Sequence, residues 1–352
     1  MYHKITAKEI AASDRPFRFP QGESKNLPEE FSFEGKSYKS SEYLESSFTK
    51  GFLVIQDGSL VHEKYYSGHS ESTQHISWSM AKSVVSALFG IAMEEGYIQS
   101  VDQTVDSYLP ELIGSGYEGV RIKDVLQMSS GVKFNENYRA FMSDINKWGR
   151  SFAFGRSQNK FASTLVREEE PGTHLHYVSI NTHVLGMIIV KVTGKSLSEY
   201  LEEKLWKPLG MEYNAYWLCD DSGMEVALGG LNIALRDYAK IGQLFLNQGK
   251  WQGEQILPRE WALASVTPDA RHLMPENNKI FGYGYQWWIP QGKEGEYMAM
   301  GVYNQYTYVN PTRRTVIVVN SANHRFNEKE NPYANPKVIL ELFRAIAHQT
   351  TP

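Results

Sequence analysis

The clearest alternation of apolar and polar positions lies between residues 51 and 66. Two strand-like runs, Phe52–Gln56 and Ser59–Tyr66, are separated only by Asp57-Gly58. Asp and Gly tolerate the positive φ angles of a type I′ turn, the turn that best joins two twisted antiparallel strands. The pattern therefore predicts a β-hairpin at this point of the chain.

The next segment, residues 80–96, is small and apolar on most sides and ends at Gly96. Glycine is common just after the last turn of a helix, and a helix without a polar face must be covered on all sides. We expect a helix buried between two layers of the fold.

The remaining patterns place helices in the middle of the chain and strands near its end. The predicted helices are Ile122–Met128, Val184–Val192, Leu197–Leu205, Leu235–Leu246 and Pro336–His348. The predicted strands are Tyr283–Ile289, Tyr297–Val309 and Thr315–Asn320, with Asn310-Pro311 as the turn between the last two. Strands at both ends and helices between them are typical of a sheet assembled from the two termini.

This order predicts an α+β fold in which an antiparallel sheet, built from N- and C-terminal segments and flanked by helices, carries an inserted and mostly helical lobe. The expected organisation is an irregular lead-in over 1–50, a sheet domain formed by 51–99 and 276–352, and the lobe over 100–275. No internal repeat of 20 to 50 residues is present, which excludes solenoids and propellers. A cleft between sheet and lobe is the expected place for a functional site.

Composition narrows the class of partner. The chain has 352 residues, 22% of them charged, and a net charge of −4, so neither nucleic acid nor a membrane surface is an expected partner. Apolar runs such as Val184–Val190 are too short to span a bilayer, and the first residues lack the apolar stretch of a leader. The single cysteine, Cys219, cannot form an internal disulfide. These features indicate a cytoplasmic protein whose oligomeric state stays open, and 21 tyrosines favour an aromatic-lined cleft.

Several catalytic motifs fail. The G-x-S-x-G elbow of α/β-hydrolases does not occur, and the segment around Gly194 lacks the first glycine of a phosphate-binding loop. His62-Glu63 lacks the second histidine of a zinc-protease helix, and no Cys, Asp or Glu pair completes a metal site with His174 and His176. We therefore expect no metal and no organic cofactor.

One motif survives, a serine three residues before a lysine. This spacing puts both side chains on one helix face, so that the amine can take the hydroxyl proton. The chain has four such pairs: Ser47/Lys50, Ser79/Lys82, Ser130/Lys133 and Ser157/Lys160. Only Lys82 points into an apolar helix, where desolvation lowers the pKa of an amine. The structural alternative is a Ser79 that merely caps the helix beside a solvated Lys82.

Other segments of the chain indicate which family the Ser79/Lys82 motif resembles. Ser79-Met80-Ala81-Lys82, together with Tyr177-Val178-Ser179 inside residues 171–182, resembles the motifs of the serine β-lactamase and penicillin-binding protein superfamily. Further similar segments are Ile122–Gly131, Trp206–Met211 and Gly229–Asn232. The resemblance covers about residues 50 to 325 and implies hydrolysis through an acyl-serine intermediate.

Two departures from the family pattern indicate a branch. Ala299-Met300-Gly301 stands where β-lactamases have Lys-Thr-Gly, so the cation that grips a β-lactam carboxylate is missing, and Tyr177-Val178-Ser179 differs from the Tyr-Ala-Asn of class C enzymes. Both departures resemble the class C-like branch that contains family VIII esterases and 6-aminohexanoate-dimer hydrolases. The resemblance thus implies a small ester or linear amide as substrate.

The resemblance also implies residue roles. Ser79 is the expected nucleophile, Lys82 and Tyr177 a coupled acid–base pair, and the N–H groups of Ser79 and Val302 the oxyanion hole. The substrate-binding residues expected are Ser179, Gly301, Trp78, Tyr303 and Trp287, with Tyr138, Trp148 and Tyr283 as further aromatic candidates. The alternatives are a slowly acylating penicillin-binding or peptidoglycan-sensing protein, a weak β-lactamase, or an inactive scaffold.

Overall fold

The computed structural model describes residues 6–349, and residues 1–5, which enter the leader prediction, lie outside the described part. Its strands are β1 (Thr6–Ile10), β2 (Glu30–Phe33), β3 (Lys36–Lys39), β4 (Thr49–Gln56), β5 (Ser59–Tyr65), β6 (Gln74–Ile76), β7 (Ala215–Cys219), β8 (Leu231–Ala234), β9 (Lys250–Trp251), β10 (Glu254–Gln255), β11 (Gly282–Tyr283), β12 (Trp288–Ile289), β13 (Tyr297–Gly301), β14 (Gln305–Asn310) and β15 (Thr315–Ser321). Its α-helices are α1 (Ser40–Ser46), α2 (Ala81–Glu94), α3 (Val105–Tyr108), α4 (Ile122–Leu126), α5 (Asp144–Ala153), α6 (Gln158–Ser163), α7 (Ser179–Thr193), α8 (Leu197–Leu201), α9 (Leu235–Leu246), α10 (Arg259–Ser265) and α11 (Pro336–Ala347).

The central element is a seven-stranded antiparallel sheet in the order β11-β12-β13-β14-β15-β4-β5. Strand β15 pairs with β4, with Thr315 opposite Gln56, so the C-terminal strands continue the N-terminal hairpin. The predicted α+β fold, with one sheet assembled from both ends of the chain, is confirmed.

The predicted hairpin is the β4–β5 pair. Asp57 and Gly58 have φ angles of 49° and 76°, as a type I′ turn requires. Side chains on β4 alternate between the two faces because the strand period is two. Phe52 and Val54 pack in the cluster that contains α11, whereas Leu53 and Ile55 pack with α2 and α9 on the opposite face.

The predicted buried helix is α2, and every side chain from Ala81 to Ala92 is buried. The helix packs against α7 and α10. At Gly90 the packing is so close that an added Cβ would lie 2.4 Å from the Trp261 ring. A helix with apolar residues all round thus occupies the position that its composition demands.

The prediction of an irregular lead-in was wrong. Strand β1 pairs with β7 in a second sheet of order β1-β7-β8-β6, in which Thr6 lies opposite Cys219. Strands β2 and β3 form a short hairpin, and α1 follows. These strands are short and mostly exposed, so they lack the apolar alternation that sequence reasoning detects.

Two predicted strands are interrupted. The run Tyr283–Ile289 divides into β11 and β12, with Gln286 at a φ of 65° between them. The run predicted over 297–309 divides into β13 and β14 at a turn in which Tyr303 and Asn304 have φ angles of 64° and 66°. Predicted helix Leu235–Leu246 matches α9 in both bounds, whereas α8 is shorter than predicted and gives way to a π-helical turn, Glu202–Trp206. The missed turn at 302–304 borders the candidate site.

Within residues 6–349 no helix is both long enough and apolar enough to cross a membrane. The same residues contain no cluster of three or more metal-ligating side chains.

Candidate active site

Ser79 lies in a single 3₁₀ turn, Trp78–Met80, that leads directly into α2. The preceding residue, Trp78, has a φ of 47°, a left-handed conformation that is costly for a bulky side chain. Gly229 lies against this turn, since a Cβ there would be 3.2 Å from the Trp78 carbonyl carbon. The strained turn raises Ser79 into the cleft at the amino end of a long helix, where the helix dipole favours a developing anion.

The Lys82 side chain is buried, with 1% of its surface exposed. Its Nζ donates to Ser79 Oγ at 3.0 Å and to the Leu228 carbonyl oxygen at 2.7 Å. Burial lowers the pKa of Lys82 to about 7, while the negative charge of Glu136 opposes this shift. Near neutral pH a large share of Lys82 is therefore unprotonated, as a base for the Ser79 hydroxyl must be.

Tyr177 lies on the other side of the serine, just before α7. Burial raises the pKa of its phenol, whereas hydrogen bonds with Ser79 and Ser179 lower it. Lys82 Nζ lies 5.4 Å from the centre of the Tyr177 ring, and that ring stacks on Trp288 with centroids 5.2 Å apart. The structure thus brings together all three side chains predicted for catalysis, and the phenol stays protonated and able to donate.

A carboxylate that sequence reasoning missed completes the polar part of the site. Glu136 accepts hydrogen bonds from the Ser179 hydroxyl at 2.6 Å, the Ser179 backbone N–H at 3.3 Å and the Tyr138 hydroxyl at 3.1 Å. Burial raises the pKa of Glu136, and the positive charge of Lys82 opposes that shift. No motif points to residue 136, because its loop reaches the site only through the fold.

The third predicted segment, Ala299-Met300-Gly301, ends β13 beside the nucleophile. A Cβ on Gly301 would lie 2.5 Å from the Ser77 carbonyl oxygen, so only glycine allows this strand to approach the Ser79 turn so closely. Val302 follows at the cavity wall, where an N–H paired with that of Ser79 is the predicted oxyanion hole.

Above Ser79 the structure has a cavity of about 400 Å³. Its lining is mostly apolar and includes six aromatic side chains. Glu136 is the charged side chain in it, with neither lysine nor arginine among the described residues that line the cavity. The lining residues are Ser79, Glu136, Tyr138, Tyr177, Ile280, Trp288, Met300, Gly301, Val302, Tyr303, Asn304, Tyr306, Phe326, Asn327, Ala334 and Pro336.

Several predicted substrate-binding residues lie elsewhere. The prediction that Trp287 binds substrate was wrong, because its side chain is fully buried against Phe245 and Tyr297. Its neighbour Trp288 lines the cavity instead. Trp148 is also buried, and it stacks on Phe152.

The remaining predicted substrate-binding residues either pack behind the residues that line the cavity or line it themselves. Ser179 is fully buried and holds Glu136, and Tyr283 is buried with its ring edge against Tyr177. Trp78 packs against Tyr303, which lines the cavity together with Tyr138.

The geometry fits one class of protein: a serine hydrolase in which a buried lysine lies beside the serine at the mouth of a mostly apolar cavity. The family model described as Beta-lactamase matches residues 50–342. The chain belongs to the Beta-lactamase family, and the predicted fold, family resemblance and hydrolase class are confirmed.

Individual relatives agree with this assignment. The chain is 29% identical over 287 residues to the 6-aminohexanoate-dimer hydrolase of Paenarthrobacter ureafaciens, covering 78% of this chain and 73% of that protein. A Bacillus anthracis structure with the provisional name 6-aminohexanoate-dimer hydrolase superposes with a TM-score of 0.85 at 28% identity, over 98% of this chain and 91% of the other. EstCE1, a hydrolase with promiscuous acyltransferase activity, shares the fold at 14% identity, with a TM-score of 0.69 and coverage of 88% and 96%.

Proposed function

We propose that this protein hydrolyses carboxylic esters or linear amides of small molecules through an acyl-serine intermediate on Ser79. The observation that carries the proposal is the 3.0 Å contact between Ser79 Oγ and the buried amine of Lys82, whose pKa is lowered to about 7. An ordinary surface lysine is almost entirely protonated at neutral pH and cannot accept the serine proton.

In the proposed acylation step, Ser79 Oγ forms a bond to the substrate carbonyl carbon while its proton passes to Lys82. The negative charge that develops on the carbonyl oxygen is stabilised by the N–H groups of Ser79 and Val302. Tyr177 donates its proton to the leaving oxygen or nitrogen as that bond breaks, and the proton on Lys82 restores the phenol.

Deacylation repeats these transfers with water. Water attacks the acyl carbonyl, gives one proton to the Lys82–Tyr177 pair, and releases the carboxylic acid as Ser79 Oγ recovers its proton. Over the whole cycle, the proton that leaves with the alcohol or amine is replaced by one from water, so Ser79, Lys82 and Tyr177 end as they began and the scheme needs no cofactor.

The lining of the cavity favours substrates whose acyl group carries little or no charge. Its walls are aromatic and aliphatic, and Ala299 stands where β-lactamases carry the cation for a substrate carboxylate. A relative named for hydrolysis of the 6-aminohexanoate dimer supports a linear amide as one substrate class. Efficient β-lactam turnover is not expected from a site without that cation.

The test compares the wild-type protein with Ser79→Ala on p-nitrophenyl butyrate, the 6-aminohexanoate dimer and nitrocefin, with intact-protein mass spectrometry in parallel. We expect turnover of an ester or linear amide by the wild type and loss of essentially all of that rate in Ser79→Ala. A stable acyl adduct without turnover would instead support the penicillin-binding alternative. Absence of both turnover and adduct would refute the proposal.

The cytoplasmic location and the absence of nucleic-acid and membrane partners stay predictions. Fractionation of cells that express the full chain tests the location, and we expect the protein with the cytoplasmic markers.

A further inference from the structure

A second hollow lies behind the wall of the catalytic cavity. It has a volume of about 380 Å³ and is formed by the β2–β3 hairpin and the segment 326–338, with Phe33, Tyr38 and Val338 among its apolar lining. Phe326 and Ala334 line both this hollow and the catalytic cavity. The two spaces therefore share a wall made of these two side chains.

Phe326 is the larger of the two side chains in that wall. Its ring centre lies 4.4 Å from that of Tyr303 and 5.4 Å from that of Tyr138, with the second pair edge to face. Tyr303 lies in the turn between β13 and β14, whereas Tyr138 lies in the loop between α4 and α5. Phe326 thus closes one side of the cavity by bridging the two halves of the cleft, and ring contacts of this kind stabilise the closed position.

The backbone that carries Phe326 is anchored independently of its ring. Asn323 donates through its backbone N–H to the Tyr303 carbonyl oxygen at 3.2 Å and through Nδ2 to the Tyr333 carbonyl oxygen at 3.0 Å. The Phe326 N–H in turn donates to the Asn323 carbonyl oxygen at 3.0 Å. Truncating the half-buried ring removes the wall and leaves these backbone anchors in place.

The apolar lining of the catalytic cavity continues into one part of the second hollow through Phe326 and Ala334. The catalytic cavity offers aromatic and aliphatic contacts, which suit methylene groups. The second hollow continues the apolar wall with Phe33, Tyr38 and Val338. Its remaining lining is mostly polar and includes four charged side chains, namely Glu34, Lys36, Glu328 and Glu330. An extended apolar chain could lie in both spaces with its far end near water.

Resting on the proposed acyl-serine function, we propose that the hollow beyond Phe326 is a second substrate subsite for the far end of an unbranched acyl chain, and that the Phe326 ring sets the chain length the enzyme accepts. Phe326 is then a specificity-determining residue and takes no part in bond making. Its removal joins the two spaces and relaxes the limit.

The test is the kcat/KM series for p-nitrophenyl acetate, butyrate, octanoate and decanoate. Each methylene that becomes buried is worth about fourfold in binding. We therefore expect the decanoate-to-butyrate ratio to rise at least about tenfold in Phe326→Ala. Phe154→Ala, which truncates a phenylalanine that is 71% exposed after α5, is the matched control and should leave the ratio unchanged.

A second variant tests where the longer chain lies. Phe33 lines the second hollow and is absent from the lining of the catalytic cavity. We expect Phe33→Ala to reduce the gain when it is added to Phe326→Ala, and to leave the wild-type ratio unchanged when introduced alone.

The outcomes separate the two claims. If the wild type hydrolyses butyrate in a Ser79-dependent way but the ratio does not change in Phe326→Ala, the subsite inference alone is overturned. A gain that survives addition of Phe33→Ala also overturns it. If the wild type hydrolyses no ester or amide, the proposed function and the subsite fall together.

Discussion

Replacing Glu136 with glutamine removes a charge from the site and keeps its shape. The glutamine carbonyl oxygen can still accept from the Ser179 and Tyr138 hydroxyls, which contact Glu136 at 2.6 and 3.1 Å. Two things are lost: the hydrogen bond from the Ser179 backbone N–H, now 3.3 Å long, and the negative charge that raises the pKa of Lys82 against the effect of burial. The pKa of Lys82 should therefore fall further below its already lowered value.

The size of the effect follows from the fraction of neutral amine. With its usual pKa of 10.5, about one Lys82 in three thousand would be neutral at pH 7, but with a pKa of about 7 about half are neutral. Loss of a nearby opposite charge shifts a pKa by about one unit or more. At pH 7 this raises the neutral fraction by less than twofold, and the factor grows at lower pH for as long as Glu136 of the wild type is ionised, which the raised pKa of that carboxyl limits.

The assay is the pH profile of kcat/KM, which reports the free enzyme. Because the proposed base is the neutral amine, activity should rise with pH through the Lys82 pKa, with half of the maximum near pH 7 in the wild type. In Glu136→Gln that rise should move to lower pH by about one unit. Glu254→Gln, an exposed site on β10, is the control and should leave the profile in place.

A profile that stays fixed in Glu136→Gln, or moves to higher pH, would refute the reasoning. Such a profile would mean that the charge of Glu136 does not affect the pKa of Lys82, or that Lys82 is not the base whose titration the profile reports.

Three further variants test other parts of the structure. Gly301→Ala should lower kcat/KM about tenfold or more and also lower the melting temperature, because the new Cβ would lie 2.5 Å from the Ser77 carbonyl oxygen and displace the strand beside Ser79. Ester kinetics and thermal unfolding check this, and an unchanged kcat/KM would contradict it. Tyr177→Phe should lower the rate of hydrolysis of substrates with poor leaving groups, such as amides and methyl esters, about tenfold more than that of p-nitrophenyl esters, because a good leaving group needs no proton. Equal losses of rate would argue against proton donation by Tyr177. Lys240→Met should lower the free energy of unfolding in urea by about 3–5 kcal/mol, because buried Asp237 loses the amine that now lies 2.9 Å away. A loss below about 1 kcal/mol would show that this ion pair does not stabilise the fold.

Local chemistry was readable from the chain itself. The spacing of Ser79 and Lys82 predicts a shared helix face, and the apolar composition of α2 predicts a desolvated amine, because both properties depend on near neighbours. The β4–β5 hairpin and helix α9 were predicted for the same reason. Periodicity and turn residues suffice where an element buries a strong pattern.

Properties that depend on residues distant in sequence were not readable. Trp287 and Trp288 are adjacent and chemically identical, and only the direction of the chain at β12 decides that the first is core and the second lines the cavity. Glu136 reaches the site through a loop without a motif, 43 residues before the Ser179 that holds it.

The sequence by itself determined the fold class, the family resemblance and three side chains that the structure places together, since these lie in strongly patterned segments. Tertiary structure decided the shape and charge of the cavity. Its walls, including Phe326, come from loops of both halves of the molecule. The contacts between these loops form only when long-range packing brings the loops together, so they cannot be predicted from the local sequence.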